Sequence, residues 1–273
     1  MSGKLYVVGT PIGNLSDFSP RAIETLKQVD FIAAEDTRVT IKLLNHFDIH
    51  TPMISYHKFN THDRGEEICQ RILNGENCAI VTDAGMPCIS DPGELLVKRC
   101  AEMGIEVAAV PGPTAMASAL AVSGLSTGRF TFEGFLSVNK PGRREHLQSL
   151  IKEQRTMVFY EAPHKLPNTL RDMYDVFGDR KISIVRELTK IHEQVIRTTL
   201  SEAAEKYTDG SVKGEIVLVI DGAKPEEEQP ETLESAVELA RKSMERGLSA
   251  SAAAKEAAQL TGFKKGEIYK QLI

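Results

Sequence analysis

Cys78-Ala79-Ile80-Val81, followed by Thr82-Asp83-Ala84-Gly85-Met86-Pro87-Cys88-Ile89-Ser90-Asp91-Pro92-Gly93, decides the reading of this chain. The four apolar residues predict a buried strand. Glu94-Leu95-Leu96-Val97-Lys98-Arg99-Cys100 predicts a helix. A plain strand-to-helix connection needs only a few residues. This one is long and rich in Gly, Pro and Asp, which is how an open α/β sheet builds a ligand site at its strand ends.

The same rhythm extends to both sides. Leu5–Val8 predicts a strand, followed by the loop Gly9-Thr10-Pro11-Ile12-Gly13-Asn14 and a helix from Pro20 to Gln28. Ser19 is placed to cap that helix, with Pro20 at its first position. Strands at Phe31–Ala34, Pro52–Tyr56 and Glu106–Val110 alternate with helices carrying Leu43 and Leu44, at Asp63–Leu73 and at Thr114–Val122. Strands that alternate with helices imply a mainly parallel sheet. Beyond Ser123 strands outnumber helices: Phe130–Phe135, Thr156–Tyr160, Lys181–Arg186, Gln194–Thr198 and Ile216–Ile220, with helices near Arg143–Lys152, Leu166–Val176 and Ser201–Tyr207. That pattern predicts a mixed sheet. The expected organisation is an α/β domain over 1–117, a second over 118–223, an acidic linker at 224–232 and a helical appendage over 233–273 that resembles a helix-turn-helix.

With 273 residues, 41% apolar and 26% charged, the composition is that of a globular protein. No apolar run approaches the ~18 residues of a membrane span. The chain enters its first strand almost at once, so no signal peptide is expected and the cytoplasm is the expected compartment. Cys69, Cys78, Cys88 and Cys100 form no CxxC pair, and neither a metal site nor a disulfide framework is expected. Cys88 differs from the other three in lying inside the ligand loop. Net charge is −5, yet residues 139–200 hold 12 Lys+Arg against 8 Asp+Glu, a local basic region that can meet phosphate.

Neither a GxxxxGK[ST] loop nor GxGxxG is present. Pro11, Pro87, Pro92, Pro111 and Pro113 recur in the loops, and proline has no N–H to offer a phosphate. Carbonyls, Gly surfaces and carboxylates such as Asp83 and Asp91 suit a cationic or neutral ligand better. S-adenosylmethionine, with a sulfonium and no phosphate, fits.

Together, Leu5–Leu15, Ala34-Glu35-Asp36-Thr37-Arg38, Thr82–Gly93, Val110–Ala115, Phe132–Leu136, Phe159–His164 and Arg186–Glu193 resemble the tetrapyrrole methylase superfamily (class III methyltransferases). The similarity is greatest to its branch of 2′-O-ribose methyltransferases acting on a cytidine in the decoding centre of 16S rRNA. The resemblance implies two α/β domains with S-adenosylmethionine in the cleft between them, a homodimer, and 16S rRNA as substrate, within the small ribosomal subunit. It further implies cofactor contacts from Pro11 and Ile12, from Asp83, Gly85, Met86, Pro87, Ile89 and Ser90, and from Thr114 and Ala115. Tyr160, Glu161 and Ala162 would add contacts from the second domain, with Gly214, Glu215 and Val217. Met86 stands where related methylases often carry Asp or Thr, so a backbone contact is expected there.

A ribose 2′-hydroxyl is a poor nucleophile until it begins to lose its proton, and a general base would help. Glu35, Asp36 and His57 are the candidates; Asp36 is equally suited to cap the following helix, with Arg38 as its ion partner. Arg38, Lys58, Lys140, Arg143, Arg144, Arg186, Lys190 and His192 are the expected phosphate contacts, with Lys140–Arg144 as a mobile basic loop. Two other readings stay open: a class III methylase acting on a small molecule such as a tetrapyrrole, and a binding module that holds rRNA without catalysis.

Overall fold

The computed structural model describes residues 2–209, 212–224 and 232–273. The chain divides into two units, 1–223 and 224–273. Residues 225–231, most of the expected linker, lie outside the described residues.

The first unit holds two sheets. β1 (Lys4–Val8), β2 (Phe31–Ala34), β3 (Met53–Ser55), β4 (Cys78–Val81) and β5 (Glu106–Val110) form one in the order β3-β2-β4-β1-β5. Every pairing in it is parallel. β2 and β4 are buried along their whole length, as expected of strands covered on both faces. α1 (Pro20–Gln28), α2 (Thr37–His46), α3 (Thr61–Leu73) and α4 (Gly93–Glu102) supply the cover. Leu26 and Leu44 pack with Ile32 and Val81 on one face; Ile68, Ile72 and Leu96 pack with Phe31 and Ile80 on the other. Ser19 caps α1 by accepting the Ala22 N–H at 3.1 Å.

α5 (Ala115–Ser123) leads into the second sheet, whose order is β6 (Phe130–Phe135), β7 (Thr156–Glu161), β10 (Ile216–Ile220), β8 (Lys181–Arg186), β9 (Gln194–Thr199). β6 runs parallel to β7 and the other pairs are antiparallel, so the sheet is mixed. α5 packs Ala119 and Leu120 against Val158, Val185 and Val219 on one face. On the opposite face Met157, Phe159 and Leu218 meet α6 (Lys140–Ser149), α7 (Leu166–Phe177) and α8 (Leu200–Lys206).

α6 corrects an expectation. The helix expected from Arg143 begins at Lys140, because Asn139 caps it by accepting the Gly142 N–H at 2.8 Å and Pro141 suits its first turn. The Lys140–Arg144 segment is therefore the start of a helix and not a loop.

The second unit contains α9 (Leu233–Glu245), α10 (Ala250–Thr261) and α11 (Lys265–Lys270). Its core is built from small residues, with Ala236, Ala240, Ala253, Ala254 and Ala257 around Ile268. Ser249 caps α10, and Gly262, in the left-handed conformation, ends it. Among the described residues no helix is long and apolar enough to cross a membrane.

Candidate active site between the two sheets

The loops that follow β1 and β4 are joined. Thr10 and Gly85 exchange both backbone hydrogen bonds, at 2.9 and 3.1 Å, and the Thr10 hydroxyl donates to the Thr82 carbonyl at 3.2 Å. Adjacent strands of an open parallel sheet thus present their loops as one surface at the carboxyl edge. The turn after β5 closes against them. A Cβ on Gly9 would lie 2.7 Å from Gly112 Cα and 2.7 Å from the Met86 sulfur, so only glycine permits the approach. Met86 accepts the Gly112 N–H at 3.3 Å, which turns its side chain toward that turn. Asp91 accepts the N–H groups of Ile89 (3.1 Å) and Gly93 (2.8 Å), fixing the entry to α4. Cys88 and Ser90 hold positive φ values of 70° and 69° beside it. Such strain persists where surrounding structure enforces it, and it clusters at ligand sites.

A cavity of about 450 Å³ lies between these loops and the second sheet. That is the size of a small-molecule site. Every residue expected to hold cofactor lines it except Pro11, Pro87 and Gly214. Gly214 makes room behind the wall instead: a Cβ there would lie 2.3 Å from the Glu187 carboxylate carbon. Phe135 and Leu188 also line the cavity and were not anticipated. Phe135 reaches it because β6 slips by one residue against β7 between Phe132 and Gly134. The bulge sets Phe135 opposite Tyr160, 5.5 Å between ring centroids, and leaves Phe135 55% exposed. An irregular register of this kind leaves no mark in hydrophobic alternation.

Among the described residues the lining contains Glu35, Asp83, Asp91, Glu161 and Glu215, and no Lys, Arg or His. Its carboxylates divide by their partners. Glu161, 3% exposed, accepts the Ala162 N–H and the Thr169 hydroxyl, with Lys165 at 4.0 Å; it organises the wall. Glu35 accepts the Thr82 hydroxyl at 2.5 Å. Asp83 accepts the Asp36 N–H at 3.2 Å, and burial, reinforced by the Glu35 charge, raises its pKa. Tyr160 takes the Met116 N–H on its hydroxyl at 3.2 Å, which seats the first turn of α5 against β7. Burial raises the Tyr160 pKa. The Cys88 thiol is pushed up to about 12 by burial, which leaves no reactive thiolate in the loop.

Among the candidate bases, only Glu35 lines the cavity. Asp36 is committed elsewhere. It caps α2 through the Arg38 N–H at 2.8 Å and binds the Arg38 guanidinium at 2.6 Å, which holds its pKa at about 2. His57 accepts the Phe59 N–H at 3.3 Å and stands outside the cavity lining.

The expected phosphate contacts also separate. Lys140 and His192 are exposed, and Lys58 lies 4.9 Å over the exposed Phe59 ring. Arg143 is different: it is 7% exposed, binds Asp172 at 2.7 Å and donates to the Ser137 and Val138 carbonyls. Its donors are spent inside the protein, so the expectation of a phosphate contact fails there. Arg144 pairs with Asp175 at 2.9 Å. Arg186 donates to Gln194 and to the Lys213 carbonyl, and Lys190 bridges Glu187 and Glu215 at 2.9 and 3.1 Å. Much of the local positive charge read from 139–200 is neutralised within the fold.

The family model of Tetrapyrrole (Corrin/Porphyrin) Methylases matches residues 4–204, which takes in both sheets except β10. This chain belongs to the tetrapyrrole methylase family. Within that family it is 49% identical over 269 residues to the "Ribosomal RNA small subunit methyltransferase I" of Synechocystis sp., covering 98% of this chain and 96% of that one. The protein of the same name from Thermotoga maritima is 50% identical over 220 residues, 81% of this chain and 99% of its own. Among solved structures, uroporphyrin-III C-methyltransferase from Thermus thermophilus complexed with S-adenosyl homocysteine shares the fold at a TM-score of 0.57 and 17% identity, over 80% of this chain and 97% of that one. The methyltransferase CobJ does so at 0.60 and 19%, over 81% and 95%. The tetrapyrrole methylase fold expected from the sequence is the fold present.

Proposed function

We propose that this protein methylates the 2′-hydroxyl of a cytidine ribose in the decoding centre of 16S rRNA, using S-adenosylmethionine. The observation that carries the reading is the cavity lining, which combines carboxylates with apolar walls and, among the described residues, has no basic side chain. A polyphosphate would be repelled there, whereas a sulfonium is favoured in a partly desolvated site. The names of the curated relatives, at 39–49% identity over nearly the full chain, support rRNA as the substrate class.

S-adenosylmethionine, when bound, supplies the methyl group and a thioether leaving group. The residues of the chain supply alignment and exclude water. Ile12, Met86, Ile89, Tyr160 and Val217 form the apolar wall. As the methyl group is transferred, the 2′-hydroxyl would give up its proton to the carboxylates of Glu35 and Asp83. Asp83, whose pKa is raised, is a better acceptor than an ordinary aspartate, and Glu35 is held in place by Thr82. Phe135 offers an exposed aromatic face at the cavity mouth on which a base can stack. The active species in this reading is a homodimer acting on the small ribosomal subunit in the cytoplasm.

The test offers labelled S-adenosylmethionine together with 30S subunits, naked 16S rRNA and small tetrapyrroles in one competition. Label in the rRNA supports the reading. Label confined to a tetrapyrrole overturns it, and binding of S-adenosylmethionine without turnover on any of them points to the non-catalytic module.

A further inference from the structure

A second cavity, of about 300 Å³, opens on the other side of the loop after β1. Pro11, Leu15, Lys42, Leu43, His46 and Asp83 contribute to its lining. Asp83 is shared with the larger cavity, so a ligand seated here borders directly on the site of methyl transfer. The two linings differ in character: among the described residues the larger contains no cation, whereas this one contains two residues of α2 that can bear positive charge.

We propose that this cavity seats a ribose–phosphate unit of the rRNA strand, with the sugar toward Asp83 and the phosphate on Lys42 and His46. The proposal rests on the rRNA reading above and names the surface by which the substrate strand enters.

Its argument is the gradient along α2. The helix starts beside Asp83, because the N–H of its cap residue Asp36 donates to that carboxylate at 3.2 Å. Arg38, Lys42 and His46 then follow at intervals of four, which places them on one face in steps of about 6 Å. A carboxylate at one end accepts sugar hydroxyls, and cations farther along attract phosphate. Arg38 is held rigid by its two contacts to Asp36 with its side chain 88% exposed. Lys42 and His46 are exposed and have no ion pair among the described residues, unlike Arg143, Arg144 and Lys190. Leu15 and Leu43 supply an apolar floor between the charged ends. This is the composition of a nucleotide seat, and of the three cations on this face only Arg38 was among the phosphate contacts expected from the sequence.

The test compares wild-type protein with Lys42→Gln/His46→Gln and with Lys42→Arg. Three quantities are read: S-adenosylmethionine affinity by calorimetry, affinity for 16S rRNA across a salt series, and KM and kcat for rRNA methylation. The double variant is expected to bind rRNA about tenfold more weakly, with a log–log salt slope shallower by about 1 to 2, because each phosphate contact contributes about one unit. Its KM for rRNA rises while S-adenosylmethionine affinity stays at the wild-type value, and Lys42→Arg keeps wild-type binding. Unchanged affinity and slope in the double variant, on rRNA that the wild type methylates, overturns this proposal and leaves the functional reading intact. Lost S-adenosylmethionine affinity overturns it by assigning α2 to the cofactor. Wild-type protein that neither binds nor methylates rRNA overturns the functional reading and this proposal with it.

Discussion

Thr82 donates its hydroxyl to the Glu35 carboxylate at 2.5 Å, just beyond the paired strand ends Ala34 and Val81. One hydrogen bond thus ties the end of β4 to the end of β2 and fixes a carboxylate on the cavity wall. Removing it by Thr82→Val costs about 1 kcal/mol of stability, the net worth of one hydrogen bond. Glu35→Gln keeps the shape and removes one of the two carboxylates proposed to take the proton. We expect both to retain S-adenosylmethionine binding and to lower kcat, Glu35→Gln the more strongly. Single-turnover methylation with saturating rRNA measures this; wild-type kcat in Glu35→Gln would remove Glu35 from the chemistry.

Asp83 gives the pH dependence. Its pKa is raised by burial and by the Glu35 charge, so the folded state binds its proton more tightly than the unfolded chain does. Stability attributable to this group is therefore greatest at low pH and is lost as pH rises through the raised pKa. Asp83→Asn is expected to raise the unfolding midpoint at neutral pH, with the gain disappearing below the ordinary carboxylate range. The same substitution is expected to lower kcat by 10²–10⁴, the usual worth of a general base. In the wild type, the acidic limb of the kcat profile should lie above the range of an unperturbed aspartate. Urea titrations and rate profiles over the same pH series read both effects.

Arg143 and Asp172 form an ion pair whose side chains are 8% and 3% exposed. Removing one partner of a buried pair leaves an uncompensated charge and costs about 3–5 kcal/mol. Arg143→Ala should accordingly lower the urea midpoint sharply. Lys140→Ala, at the exposed start of the same helix, should leave the midpoint unchanged and reduce the salt slope of rRNA binding. A folded, stable Arg143→Ala protein with weakened rRNA binding would restore Arg143 to the RNA surface.

Gly9 and Gly112 meet at van der Waals distance where three loops converge. A Cβ on either would lie within 2.8 Å of the other's backbone. Gly9→Ala must push the β5 turn and Met86 away from the cavity wall. Calorimetry should show S-adenosylmethionine affinity falling at least tenfold, with far-ultraviolet circular dichroism unchanged.

Much of this fold was legible because strands such as β1 and β5 are short apolar runs that end at Gly9 and Pro111, and helices such as α1, α2 and α10 carry a side-chain cap. Ser19 before Pro20 and the loop from Thr82 to Gly93 announce their structures locally. The lining of the larger cavity was legible for the same reason, since much of it is made of strand-end loops. The RNA surface was not. Net charge over a stretch of chain does not reveal which cations a fold buries or pairs, and Arg143, Arg186 and Lys190 are spent on Asp172, Gln194 and Glu187. Lys42 and His46 sit in an unremarkable helix and acquire meaning only when Asp83, far away in sequence, comes to border the same cavity. Phe135 depends on a bulge that alternation cannot show.

The central claim is methyl transfer to a ribose oxygen of one cytidine. Its most direct measurement is to methylate 30S subunits with labelled S-adenosylmethionine, digest the rRNA and locate the label. The account predicts a single labelled cytidine in the decoding centre, with the methyl on the 2′-oxygen and the adjoining phosphodiester resistant to alkali. Label on a base, or at an alkali-sensitive position, would contradict it.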